Sequence, residues 1–170
     1  MVILNRIRYR VGQFFQTLWA AFLPVDREYA AQKLTPALLA LFETLSHAEQ
    51  QHSITLCKGL EAQGAPSPDL LVAALLHDVG KTVAPPYLWE RVWVVLAGHY
   101  TPKLAARLSE GDPRGLRRGF VTHKMHPQWG ADLAEKAGAN ARVVALIRKH
   151  HAPPGGDAEL AKLQVIDDGV

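Results

Sequence analysis

Helix caps punctuate this chain so often that they leave almost no room for a sheet. Thr35 followed by Pro36, Ser67 followed by Pro68, Asn140 and Asp157 each precede a run with apolar residues at helical spacing. A side-chain oxygen there accepts from the first free amides, and proline at the first helical position gives up a donor that had no partner. Gly64, Gly111 and Gly138 stand where such runs stop, at the place that favours a left-handed residue. The pattern predicts helices over 35–45, 46–64, 67–78, 90–97, 101–111, 126–138, 140–151 and 157–168. In the sixth of these, His126 takes the N-cap and Pro127 the first helical position. "RVWVVLAG", residues 91–98, is the one stretch where a strand competes with a helix, and no segment sustains the alternation of a half-buried strand. The fold class is therefore all-α, a helical bundle. The prolines, glycines and arginines between Thr82 and His123 read as a mobile or inserted segment rather than a second domain.

A chain of 170 residues is long enough for one domain with a proper core. Its single cysteine, Cys57, excludes an intramolecular disulfide, and the apolar neighbours predict a buried thiol in a reducing, cytoplasmic setting. The net charge of +3 is not gathered into one long basic run, which argues against nucleic acid as the partner. No window holds the ~20 apolar residues that span a bilayer. The nearest is the lead-in, residues 1–34, where Ile3, Ile7, Val11, Phe14, Leu18 and Phe22 recur at helical spacing behind Arg6, Arg8 and Arg10. This predicts an amphipathic helix, packed on its own domain or, in a sharper reading, lying peripherally on a membrane surface. Residues 35–170 form the domain proper.

"AALLHDVGK", residues 73–81, poses the chemical question. A buried apolar helix ends there in His77 and Asp78, and a buried carboxylate demands a compensating charge. Other histidines and aspartates also sit mostly at helix ends: His52, His126, His150 with His151, and Asp167 with Asp168. Side chains from four or five helices can thus converge on one pocket. Neutral imidazole and carboxylate without thiolate suit Mn, Fe, Zn, Co or Ni, and such a cation would compensate Asp78.

These residues resemble a known family. The set His52, His77-Asp78 and Asp167 is similar to the signature of the HD-domain metal-dependent phosphohydrolases. His126 and His150-His151 resemble the added histidines of the subset that includes the HD-GYP phosphodiesterases and HDIG-type proteins. "HDVGK" matches that form of the motif, and "HPQWGA" its H-P-x-x-G segment. Where an HD-GYP protein carries a glutamate and then Gly-Tyr-Pro, this chain reads "HHAPPGG".

The resemblance implies an HD-like bundle holding two divalent ions, Fe or Mn in preference, with Zn, Co, Ni or Mg also compatible. His52, His77 and Asp167 would hold one, His126, His150 and His151 the other. Asp78 would be shared between them together with a hydroxide, and Lys81 would meet a phosphate oxygen. Asp78 and Lys81 are the implied catalytic residues. The implied substrate is a phosphorylated small molecule, a nucleotide or cyclic (di)nucleotide, cleaved as a phosphodiester. A one-metal nucleotidase or nucleoside-triphosphate hydrolase and a non-catalytic metal-binding regulatory module are the alternatives. Asp168 competes with Asp167 for the last ligand position. His123 reads as a loop residue, Glu49 as a surface glutamate, and His47 and His99 as structural or exposed.

Overall fold

The computed structural model describes residues 24–170. The predicted amphipathic run from Ile3 to Phe22 lies outside the described residues. Among those described there are nine α-helices, two 3-10 turns and no strand. The helices are α1 (Arg27–Ala31), α2 (Pro36–Phe42), α3 (His47–Ala62), α4 (Pro68–Leu76), α5 (Leu88–Tyr100), α6 (Pro102–Leu108), α7 (Arg118–Lys136), α8 (Ala141–Lys149) and α9 (Ala158–Asp167). The 3-10 turns are Val79–Thr82, directly after α4, and Gly115–Arg117, directly before α7. None of these helices is long and apolar enough to cross a membrane.

The predicted caps form. Ser67 Oγ accepts from the Leu70 amide at 3.1 Å, and Asn140 Oδ1 from Val143 at 3.0 Å. Asp157 Oδ1 takes the amides of Glu159 and Leu160, each at 3.2 Å. The first and second predicted helices are separate elements. The Thr35 helix stops at Phe42, and Ser46 opens α3 in a reciprocal box with Glu49, backbone donating to side chain in both directions.

α4 is the spine of the bundle. Leu70, Ala73, Ala74, Leu75 and Leu76 are sealed from solvent, packed by Leu56, Cys57 and Leu60 of α3 and by Val143, Leu146 and Ile147 of α8. Each fully buried leucine contributes about 1.5–3 kcal/mol. α9 closes the α3 side through Leu163 and Ile166, and a Cβ on Gly59 would meet Ile166 Cγ2 at 2.9 Å. The lead-in joins the same core through Ala30 and Leu34.

The helix expected over 90–97 forms, and "RVWVVLAG", where a strand competed, is helical throughout, within α5. Two expectations are corrected. The segment from Thr82 to His123 is mostly ordered helix, pinned to α3 by Arg91, which reaches Glu49 at 2.6 Å, and braced within itself by Glu90, whose carboxylate takes Arg118 at the start of α7 at 3.1 Å. His126 and Pro127 do not start a helix but lie inside the 19 residues of α7. An interior proline costs roughly 3 kcal/mol because one helix bond is lost. Here the freed His123 carbonyl accepts from His126 Nδ1 at 3.0 Å instead.

Candidate metal centre

The "HDVGK" and "HPQWG" segments prove to be two sides of one contact. The turn Val79–Thr82 lies against α7. A Cβ on Gly80 would stand 2.0 Å from the His126 carbonyl oxygen and 2.6 Å from the Gly130 nitrogen. A Cβ on Gly130 would in turn meet the Gly80 nitrogen at 3.1 Å. Neither glycine has a positive φ, so steric approach of backbone to backbone explains them. This contact sets Asp78, at the head of the turn, opposite His126.

Two triads of ligand-type atoms result. His52, His77 and Asp167 form one, and His126, His150 and His151 the other; within each, the three atoms lie within 4.8 Å of one another. In the first, Asp167 Oδ1 is 2.8 Å from His52 Nε2 and 3.4 Å from His77 Nε2. In the second, His126 Nε2 and His150 Nε2 are 3.1 Å apart, and the His151 ring stands edge-on to His126 at 4.7 Å. Asp78 lies between the triads, with Oδ2 at 3.4 Å from His77 Nε2 and Oδ1 at 3.3 Å from His126 Nε2.

The backbone decides which nitrogen each buried imidazole presents. His77 Nδ1 faces the Ala74 carbonyl at 2.9 Å, His126 Nδ1 the Thr122 carbonyl at 3.0 Å, and His150 Nδ1 the Ile147 carbonyl at 2.7 Å. A carbonyl can only accept, so Nδ1 carries the proton and Nε2 is turned inward. Metal-binding histidines are oriented by the same kind of partner. Two of these rings end a helix, where the last carbonyls are free to accept; the third, His126, also faces the His123 carbonyl that Pro127 releases, at 3.0 Å.

The electrostatics split the two triads. Burial, then the neighbouring His77, His151 and His126, hold His150 well below its ordinary value. Burial with His126 and His123 close by pushes His151 down to about 4. His150 and His151 therefore present neutral imidazoles at neutral pH. His77 is different: burial favours its neutral form, yet Asp78 and Asp167 outweigh that and raise it to about 9. Burial likewise opposes ionisation of Asp78, but Lys81, His77 and His126 hold it well below the carboxylate range. Asp167 is lowered in the same way, its burial outweighed by His52 and His77.

The donor set fits divalent cations. The His77 Nε2 atom is buried with no hydrogen-bond partner of proper geometry, although two carboxylates stand near it. A proton there is what a cation would replace. Nitrogen and carboxylate oxygen without sulfur suit the harder transition metals.

The predicted site residues are thus brought together from five elements and the turn after α4. Lys81 turns to Asp78, its Nζ 2.5 Å from Oδ2, and so supplies part of the compensating charge that the buried carboxylate needs. Asp167, not Asp168, faces the triad; Asp168 is exposed. His47 and His99 are exposed. His123 is on α7 rather than in a loop, its ring 5.3 Å from His151. Glu49 is buried rather than on the surface, because Arg91 covers it. Sequence reasoning missed Gln164, whose amide donates to the carbonyls of His150 and Ala152 at 2.9 and 2.6 Å and ties α9 to the end of α8. Only a glutamine one turn before Asp167 on the same helix hinted at it. An open cavity of about 570 Å³ gives access, lined by His123, His150, His151, Pro153, Gln164 and Asp167 among others.

The comparison with known families agrees with this geometry. The family model described as "HD domain" matches residues 50–168, a span that includes every residue of both triads. No curated protein and no solved structure matches the chain. The chain belongs to the HD-domain superfamily, whose members are metal-dependent phosphohydrolases.

Proposed function

We propose that the chain is a phosphodiesterase acting on a nucleotide or cyclic (di)nucleotide, with both triads occupied by divalent transition metals, Fe or Mn in preference. One observation carries this reading: the Asp78 carboxylate turns one oxygen toward each triad, the geometry of a ligand shared by two ions. A single-ion site would have no use for the three buried or packed imidazoles of His126, His150 and His151.

Divalent ions, when bound, supply positive charge for the phosphoryl oxygens and a nucleophile from water at neutral pH. His52, His77 and Asp167 would hold one, His126, His150 and His151 the other, with Asp78 common to both. The chain's own residues do the rest. The carbonyls of Ala74, Thr122 and Ile147 fix the rings so that no reorientation is needed on loading. Lys81, a quarter exposed, holds Asp78 ionised and is placed to meet a phosphate oxygen once an ion takes over that carboxylate. His123 sits at the cavity mouth with its pKa lowered by burial and by His126, a neutral group beside an anionic substrate.

Elemental analysis after reconstitution with Mn or Fe, together with a hydrolysis screen over cyclic dinucleotides, mononucleotides and a generic phosphodiester, tests this. The expected result is about two ions per chain and cleavage of a phosphodiester. His150→Ala should lose one ion and most activity, whereas His99→Ala should lose neither. One ion per chain with nucleotide monoester or triphosphate hydrolysis would reject the two-ion reading in favour of a nucleotidase. Two ions without hydrolysis of any of these would leave a regulatory metal module.

A further inference from the structure

α5 is turned inside out relative to the other helices. Its inward side buries only Glu90 and Ala97, while Leu88, Trp89, Val92, Trp93, Val95 and Tyr100 are exposed, Val95 by 70% and Tyr100 by 74%. An apolar helix face of this kind is ordinarily covered. Its attachment to the body is polar instead, through Glu90 with Arg118 and Arg91 with Glu49.

The charges beside it indicate what covers it. Among the described residues, Arg27, Arg91, Arg118, Arg142 and Arg148 each have a carboxylate partner. Arg107, Arg114 and Arg117 have none, and all three follow α5, Arg107 on α6, Arg117 in the 3-10 turn and Arg114 directly before it; Lys103 on α6 is unpaired as well, as are Lys124, Lys136, Lys149 and Lys162 elsewhere. The nearby carboxylates are Glu110, which lines a cleft with Arg107 and Arg117 but pairs with neither, and Asp112. A second copy docked here would bring unpaired cations against their own kind. The segment 1–23 would too, since it carries Arg6, Arg8 and Arg10 and no acidic residue. Tryptophan and tyrosine beside unpaired cations match the headgroup region of an anionic bilayer.

We infer that the exposed face of α5, edged by the cations of α6 and the adjoining turn, is a docking surface for an anionic lipid membrane. The helix lies on the surface, its aromatic rings entering at headgroup depth and its cations meeting lipid phosphates.

Co-sedimentation of the full chain with phosphatidylcholine vesicles, with and without phosphatidylglycerol, tests the inference. The wild type should pellet with the anionic vesicles alone, less so as salt rises. Trp93→Gln with Val95→Gln should weaken partitioning about tenfold or more, as should Arg107→Gln with Arg114→Gln and Arg117→Gln. Both variants should melt like the wild type and keep its metal content, because the replaced side chains are exposed. A variant with Arg6, Arg8 and Arg10 changed to glutamine provides the contrast. If that variant alone loses binding, the lipid contact belongs to the first residues and the inference is wrong. It is equally wrong if no vesicle is bound, or if light scattering shows a dimer that Trp93→Gln dissociates.

Discussion

Replacing Gly80 with alanine should cost both stability and metal, and the size of the effect follows from one contact. The new Cβ would start 2.0 Å from the His126 carbonyl oxygen and 2.8 Å from its carbonyl carbon. An ordinary carbon–oxygen contact is about 3.3 Å, so the turn and α7 must part by roughly 1.3 Å. Both partners are backbone held in helical hydrogen bonds, and neither can swing aside. Overpacking of this kind costs typically 1–3 kcal/mol, and a backbone-on-backbone clash belongs at about 3. At ~2–4 °C per kcal/mol for a chain of this length, the midpoint should fall by about 6–12 °C. The same displacement moves Asp78 away from His126, now 3.3 Å apart, so occupancy of the second triad should fall further than that of the first. Thermal melting by circular dichroism and elemental analysis read the two effects. Gly98→Ala is the internal control: nothing lies within 4 Å of the place its Cβ would take, and alanine in α5 should raise stability by up to ~1 kcal/mol. A Gly80→Ala protein that melts within about a degree of wild type and holds full metal would refute the close-approach argument.

Two further outcomes are expected. Asp157→Ala removes one of the two carboxylates that pair with Arg142, leaving Glu159, and deletes the cap of α9; the cap itself is worth about 1 kcal/mol, and metal affinity should drop because α9 carries Asp167. The Arg142 guanidinium and the Leu160 amide hold the Asp157 carboxyl below the usual range, so its contribution is complete above pH ~4 and is lost as pH falls further; melting of both proteins down that range should show the difference shrink. Cys57, fully buried and pushed up to about 12 by burial, should resist a thiol reagent at pH 8 in the native state and react on denaturation; fast native labelling would contradict its place in the core.

The helix starts were legible because caps are local. Ser67, Asn140 and Asp157 need only the next three residues to act, and all three do so as read. Pro127 misled for the same reason. Local rules put proline at a helix start, whereas here the release of the His123 carbonyl to His126 and the close fit to Gly80 offset the lost bond. Valines 92, 94 and 95 left a strand in competition with the helix expected over 90–97; the helix forms, and α5 is held by Glu90 and Arg91, whose partners lie 28 and 42 residues away. Glu49 was misread through that second pair, since nothing near it in sequence signals an arginine so distant. The set of histidines and aspartates could be named from their positions, but which carboxylate faces inward, Asp167 or Asp168, depended on the rotation of α9 about its axis.

The contact between His52 and Asp167 has a mechanical meaning for the whole molecule. It joins residues 115 apart, so anything that binds both acts as a staple across nearly the full span of the bundle. Cross-linking distant points removes chain freedom from the unfolded ensemble, and a cation gripping α3, α4 and α9 together would do so without any covalent bond. Loss of that cation leaves α9 secured by Gln164, the Asp157–Arg142 pair and a short apolar face. The helix that completes the centre would then be among the first to detach, and hydrogen exchange along Ala158–Asp167 would track metal occupancy residue by residue.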